Sequence, residues 1–263
     1  MLGRDVVAAA GDAGHQVAAL ARADLDITDP DAVRSAVADH APDAVINCAA
    51  WTDVDGAEAH EAAATAVNGA GVANLAATGV RLVHVSSDYV FDGTATDPYT
   101  EASPTGPRSA YGRSKLAGEH ALSGDAAIVR ASWLFGPHGK NFVDTMRRLG
   151  AEREEIAVVD DQVGCPTYTG HLAPALVEVA ERGLTGVLHV AGGGSCSWLE
   201  LAEATFAETG SACRVTPQST ADLGRPAPRP ALSALASTRA DAPVLPSWRD
   251  GLRAHLARVE VAA

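Results

Sequence analysis

Short apolar runs alternate along the first half of this chain with longer stretches in which apolar positions recur every three or four residues, a pattern of strands separated by helices. Leu2 to Ala13 predicts a helix closed by Gly14, and Gln16 to Leu20 (QVAAL) a short buried strand. Asp29-Pro30 starts a helix running to about His40, since proline suits the first helical position. Asp43 to Ala50 (DAVINCAA) reads as a strand, an alanine-rich helix covers roughly Ala57 to Thr78, and Arg81 to Ser86 is again a strand. A helix around Tyr111 is followed by a strand over Ala126 to Ser132. Strands joined through helices need right-handed crossovers, so the prediction is an α/β fold with a Rossmann-like, doubly wound parallel sheet.

After Trp133 the pattern changes. FGPHGKNF is a glycine-containing loop, Val143 to Leu149 is helical, and IAVVDDQVGCPTY is a strand running into a loop. A helix from His171 to Arg182 leads to a strand over Gly186 to Gly192, and Ser197 caps a helix to Thr209 ahead of the proline-rich LGRPAPRPALSAL. Irregular, proline-stiffened segments after a regular sheet suggest a smaller lobe closing over a ligand. The expected division is a dinucleotide-binding domain over 1–135 that also receives about 171–192, and a smaller C-terminal substrate lobe from 136–170 and 193–263.

Composition narrows the class. With 263 residues, 47% hydrophobic and 20% charged, the chain can bury a full core, and a net charge of -13 argues against nucleic acid or an anionic membrane as partner. No run of about 18 apolar residues occurs, and the N-terminus lacks the basic, apolar and small-residue order of a secretory signal, so a cytoplasmic protein is expected. The four cysteines form no C-x-x-C and the nine histidines no H-E-x-x-H, so no disulfide framework and no metal site are expected.

The strongest chemical signal is Tyr111 and Lys115 in SAYGRSKLAGEHAL, four residues apart in a predicted helix. Positions i and i+4 share one helix face, so a phenol and an ammonium placed there can act on one molecule. A tyrosine with a pKa of about 10 is a poor acid at neutral pH, and a fixed ammonium nearby favours its phenolate. Lys115 is one of only two lysines beside 18 arginines, so a compact ammonium is retained here where arginine serves elsewhere. Upstream, VRLVHVSSDYVFDG is a strand that runs directly into Ser86, Ser87 and Asp88, at the carboxyl end where parallel sheets place their chemistry.

These segments, together with LDITDP (25–30), VINCAAWTDVDGAE (45–58), RASWLFGPHGKNF (130–142) and VVDDQVGCPT (158–167), closely resemble the dTDP-4-dehydrorhamnose reductase family of the extended short-chain dehydrogenase/reductase superfamily, from Leu2 to about Leu256. The resemblance implies a reductase that uses NADPH or NADH on a dTDP-linked 4-keto-6-deoxyhexose; a homodimer is compatible with it. It makes Tyr111 the catalytic acid, Lys115 the ribose-binding partner that lowers the tyrosine's pKa, and Ser87 the hydroxyl that helps hold the sugar carbonyl. Asp26 and Ile27 would border the adenine, and Ala49, Ala50, Trp51 and Thr52 would run along the cofactor. Val54, Asp88, Tyr89 and Trp133 would face the sugar or its nucleotide. A ketoreductase for another dTDP-4-keto-6-deoxy sugar, or a non-catalytic NADP-binding regulatory subunit, remain alternatives, although the Ser87, Tyr111 and Lys115 set argues for catalysis.

The chain departs from the family pattern twice. Met1-Leu2-Gly3 begins where the family's glycine-rich loop ends, so that only Leu2 and Gly3 of the phosphate cradle are expected here, without the first strand. The expectation is that about a dozen upstream residues, an apolar strand then Gly-x-x-Gly, complete a longer protein, and that the chain as written is a poor enzyme. Ala21 stands where an acidic residue would hold the ribose hydroxyls, and Arg22 follows it. An arginine there can pair with a 2'-phosphate, which favours NADPH, or can be an exposed residue without a partner.

Overall fold

The computed structural model describes residues 1–261; residues 262 and 263, at the end of the expected C-terminal lobe, lie outside it. The elements in chain order are α1 (Leu2–Asp12), α2 (Pro30–His40), β1 (Ala44–Asn47), α3 (Val54–Ala59), α4 (Glu61–Thr65), α5 (Gly71–Ala76), β2 (Arg81–Ser87), α6 (Ala110–His120) and β3 (Ala127–Ala131). There follow β4 (Leu134–Phe135), α7 (Phe142–Glu152), β5 (Glu155–Val159), β6 (Val163–Gly164), β7 (Thr167–Tyr168), α8 (Thr169–Glu181) and β8 (Gly186–His189). The last are β9 (Cys196–Ser197), α9 (Trp198–Thr209), β10 (Arg214–Gln218), α10 (Thr220–Leu223) and α11 (Trp248–Val261). Among the described residues no helix is long and apolar enough to cross a membrane.

The central sheet has the order β1-β2-β3-β8, every pair parallel. Its inner strands are covered on both faces, so successive side chains enter different cores. Leu82 packs with Ile27, Val33 and Leu75, whereas Val83 joins Val129, Leu172, Leu176 and Leu188 together with Leu2 and Val6 of α1. Each fully buried leucine among these contributes roughly 1.5–3 kcal/mol. A second group of cores lies between α7, α9 and α11, where Phe135, Val143, Leu201 and Leu252 meet, and beneath the parallel pair β5 and β10, where Ile156, Val158 and Phe206 meet.

Local chemistry explains several boundaries. Asp29 caps α2 by accepting from the amides of Asp31 and Ala32, with Pro30 just inside. Ser197 and Glu200 form a reciprocal capping box at α9, and Gly210 closes that helix in the left-handed conformation.

Two expectations fail. Gln16 to Leu20 is not a strand: these residues are exposed, with Val17 39% and Leu20 43% accessible. β1 is the edge of the sheet on that side, so QVAAL meets no strand to satisfy its backbone groups. The alanine-rich helix is not continuous either. It breaks at His60 and passes through a π-helical turn, Ala66–Ala70, between α4 and α5. β10 and α11 carry no expectation from the pattern, because β10 includes Pro217 and α11 follows a proline-rich segment.

Candidate active site

The carboxyl end of β2 and the first turns of α6 meet above the sheet. Ser109 caps α6 by accepting from the Gly112 amide, and Glu58 of α3 accepts from the Ala110 amide at 2.8 Å. Gly112 allows the close approach: a Cβ there would run into the carbonyl of Tyr89. α6 therefore buries an unusually polar face, Ser114, Lys115 and Glu119 among it. Polar residues inside a helix interface must be partnered, and these are. Glu119 takes two bonds from Arg130 on β3 (2.9 and 2.6 Å) and one from Ser86 (2.5 Å).

Ser87, Asp88, Tyr89 and Tyr111 come together. The Ser87 hydroxyl donates to Asp88 at 3.0 Å and accepts from the Tyr89 amide at 3.2 Å, while Ser132 donates to the other Asp88 oxygen at 3.2 Å. Burial pushes the Asp88 carboxyl up to about 6, against the hydroxyls of Ser233, Ser87 and Ser132 that hold it down. The rings of Tyr89 and Tyr111 meet edge to face at 5.6 Å. Burial likewise raises Tyr111 to about 12; the Ser87 hydroxyl draws it down and the Asp88 charge adds to the rise. The lowering expected from Lys115 is not what governs this group, and the phenol stays protonated at neutral pH.

Lys115 is 1% exposed. Its Nζ donates to the Val85 carbonyl at 2.8 Å and stands 3.5 Å from Nε2 of His84. Burial lowers it to about 8, against the opposing charges of Glu119 and Cys48. An ammonium carries three N–H donors, and one carbonyl leaves donors free at a buried place.

The stretch beyond β1 lies against this cluster. Asn68, in the π-helical turn, accepts from the Trp51 amide (2.8 Å) and donates to the Trp51 carbonyl (3.1 Å) and to Ser114 (2.8 Å), which in turn donates to the carbonyl of Tyr111 (2.7 Å). Ala49 and Thr52 are exposed there, Ala50 is half-buried, and Trp51 and Tyr111 both pack against Ala57, Ala64 and Ala110. Val54 opens α3, and its neighbour Asp55 is gripped at both oxygens by Arg229 (2.9 Å each), which ties the proline-rich segment to that helix.

Trp133 has a positive φ of 48°, uncommon for so large a residue, and its ring stacks on Trp198 at 3.5 Å and 4°. Gly164 makes room beside it, since a Cβ there would enter the indole. Arg22 and Asp26 are not part of the cluster; both are exposed, and Asp26 is held by the amide and hydroxyl of Thr28. Ile27 is buried against α5, where a Cβ at Gly71 would strike it, and Leu2 is buried in the core beside the half-buried Gly3. His84, Asn47, Asn68, Ser132 and Trp198 had no place in the sequence reading. The one sequence signal for them is a polar letter inside an apolar run, as in LVHV and VIN.

The residues present fit a nicotinamide dinucleotide at its ribose end: a buried ammonium has donors to spare, and the neighbouring chain carries the small side chains Ala49 and Ala50.

The model of the RmlD substrate binding domain family matches residues 1–261. The chain is 46% identical over 273 residues to the dTDP-4-dehydrorhamnose reductase of Mycobacterium tuberculosis (H37Rv), covering 97% of this chain and 89% of the relative. It is 45% identical over 270 residues to a probable dTDP-4,6-dihydroxy-2-methyloxan-3-one 4-ketoreductase of Streptomyces antibioticus, covering 96% and 90%. A solved dTDP-4-dehydrorhamnose reductase of Bacillus anthracis, in complex with NADP, superposes with a TM-score of 0.94 at 37% identity, covering 98% of this chain and 95% of that one. The chain belongs to the RmlD substrate binding domain family.

Proposed function

We propose that this protein is an oxidoreductase that reduces the C4 keto group of dTDP-4-dehydro-6-deoxy-L-mannose, giving dTDP-L-rhamnose, with NADPH or NADH as reductant. The observation that carries the site assignment is the convergence of Ser87, at the carboxyl end of β2, with Tyr111 one helical turn before Lys115. Lys115, Ala49 to Thr52, Asp26, Ile27 and Arg22 would hold the cofactor, with Leu2 and Gly3 beside its phosphates, and when bound it would supply a hydride to the sugar C4.

Tyr111 gives its proton to the carbonyl oxygen, and its high pKa keeps it in the donating form. Ser87 helps hold that oxygen by turning toward it the single proton that Asp88 accepts in this structure. Trp133 offers an apolar face to the deoxyhexose, with Val54 and Tyr89 completing the sugar side. The protein works in the cytoplasm in this reading, as a homodimer, with 1–135 and about 171–192 binding the cofactor and 136–170 with 193–263 the sugar nucleotide.

A second reading, reduction of a different dTDP-4-keto-6-deoxy sugar, is favoured by the similarity to the Streptomyces antibioticus ketoreductase. Purified protein is given each sugar nucleotide with NADPH or NADH while loss of the reduced cofactor's absorbance is followed. Turnover of the L-mannose derivative well above the other sugars supports the first reading, and the reverse order supports the second. No turnover of either by protein that binds the reduced cofactor would overturn both.

A further inference from the structure

His84 lies on β2, three residues before Ser87, and is completely buried. Its ring bridges two groups. Asn47 Nδ2 stands 3.1 Å from Nδ1, and Lys115 Nζ stands 3.5 Å from Nε2. The orientation of Asn47 is fixed from the other side, because its Oδ1 accepts from the Ala49 amide at 3.0 Å. An amide whose oxygen is engaged there must turn its NH2 toward the imidazole, so Nδ1 of His84 has to accept. A neutral imidazole carries one proton, which leaves it on Nε2, aimed at Lys115. Burial and the Lys115 charge hold His84 well below its usual pKa, so the second proton is absent.

We propose that His84 is a positioning residue: locked by Asn47 as the Nε2–H tautomer, it points a donor at the nitrogen of Lys115 and loosens the lysine's hold on its own proton. An ammonium facing an N–H gains nothing from it, whereas an amine can accept the bond through its lone pair. The other groups facing Lys115 act in both directions. Glu119 one turn along α6 and Cys48 beyond β1 favour the ammonium, and burial opposes it. Glu119 is largely spoken for by Arg130 and Ser86, and Val85 offers a carbonyl that either form of the lysine can use. With Tyr111 one turn away losing a proton in each turnover, a lysine near its midpoint can both give and take one. That consequence rests on the catalytic reading above; the titration itself does not.

The experiment uses the whole ligand-free protein and needs no substrate. Only Lys115 and Lys140 are present, so carbon-labelled lysine gives two Cε signals by NMR, and Lys140→Arg assigns them. Lys115 should titrate with a midpoint about 8. His84→Gln, whose amide can turn its oxygen to the ammonium, and Asn47→Ala, which frees the proton to move to Nδ1, should each raise the midpoint by about half a pH unit or more. Should His84→Gln not fold, Asn47→Ala decides. The proposal is overturned if Lys115 of the unaltered protein titrates at the ordinary value of about 10.4. It is equally overturned if Asn47→Ala leaves the midpoint in place, including the case in which only thermal stability changes. Failure of the catalytic reading shows separately, as no turnover from a protein whose Lys115 titrates as expected.

Discussion

Ser87, Asp88, Tyr111 and Lys115 are held by one another and by the sheet, whereas Arg22 and Asp26, at the other end of the expected cofactor path, sit in an exposed stretch held by its own turns. Asp24 accepts from the Ala21 amide and Asp26 from Thr28, and these bonds reach only two or three residues along the chain. The first region is ordered by burial, and its ionisable groups are displaced from their usual ranges for that reason. In the second, a backbone hydrogen bond is what holds Asp26 low. A substitution at the buried end should therefore move chemistry or folding by large factors, and one at the exposed end should move only what binds there.

The largest effect expected is at Tyr111. Tyr111→Phe keeps the ring against Tyr89 and removes the proton donor, so kcat should fall about 100-fold or more with an unchanged melting temperature. Near-normal turnover on the best substrate would break the contrast at its buried end.

Asp88 sharpens it. Its folded pKa of about 6 lies above its unfolded value, so the folded state binds the extra proton and loses stability as pH rises from about 4 to about 6. Asp88→Asn removes that penalty, which is on the order of 2–3 kcal/mol. Its melting temperature, relative to the unaltered protein, should rise between pH 4 and pH 8, read by thermal unfolding across that range. A constant difference would mean that the carboxyl is not titrating there.

Trp133→Ala should raise the apparent KM for the sugar nucleotide by about tenfold and alter cofactor affinity much less, because the proposed reading puts the indole on the sugar side. Equal losses in both constants with a lowered melting temperature would show that the Trp133–Trp198 stack is simply core. The smallest effect belongs to Arg22. Arg22→Ala should weaken NADPH relative to NADH by roughly three- to tenfold at low salt, and the difference should shrink at high salt, since the side chain is exposed. Titration of both cofactors at two ionic strengths measures this.

Much of the fold could be read from residues that act locally. Asp29-Pro30 and Ser197 announce helices because their side chains and ring geometry satisfy free amides wherever they occur. The Tyr111 and Lys115 pair is legible for the same reason, since helical spacing alone places the two on one face. Gln16 to Leu20 could not be read, because a strand exists only where another strand meets it, and the apolar run says nothing of its neighbours. The wiring around Lys115 was equally hidden: Asn47, His84 and Lys115 are joined across β1, β2 and α6, at separations that no spacing rule covers.

The π-helical turn at Ala66–Ala70 has a consequence for insertions and deletions. A π turn holds about one residue more than an α turn, so α4 and α5 are two helices set out of phase by that residue. The offset lets Asn68 reach Trp51 on one side and Ser114 on the other while Val72 and Leu75 still face the sheet. Removing one of the residues that flank Asn68 between 66 and 70 would let the turn tighten into an even α-helix and withdraw the bulge that carries Asn68 between Trp51 and Ser114. The alanines here look interchangeable as letters, yet their number is fixed: this part of the chain is read by length, and a deletion that changes no side chain of the site would still disconnect it.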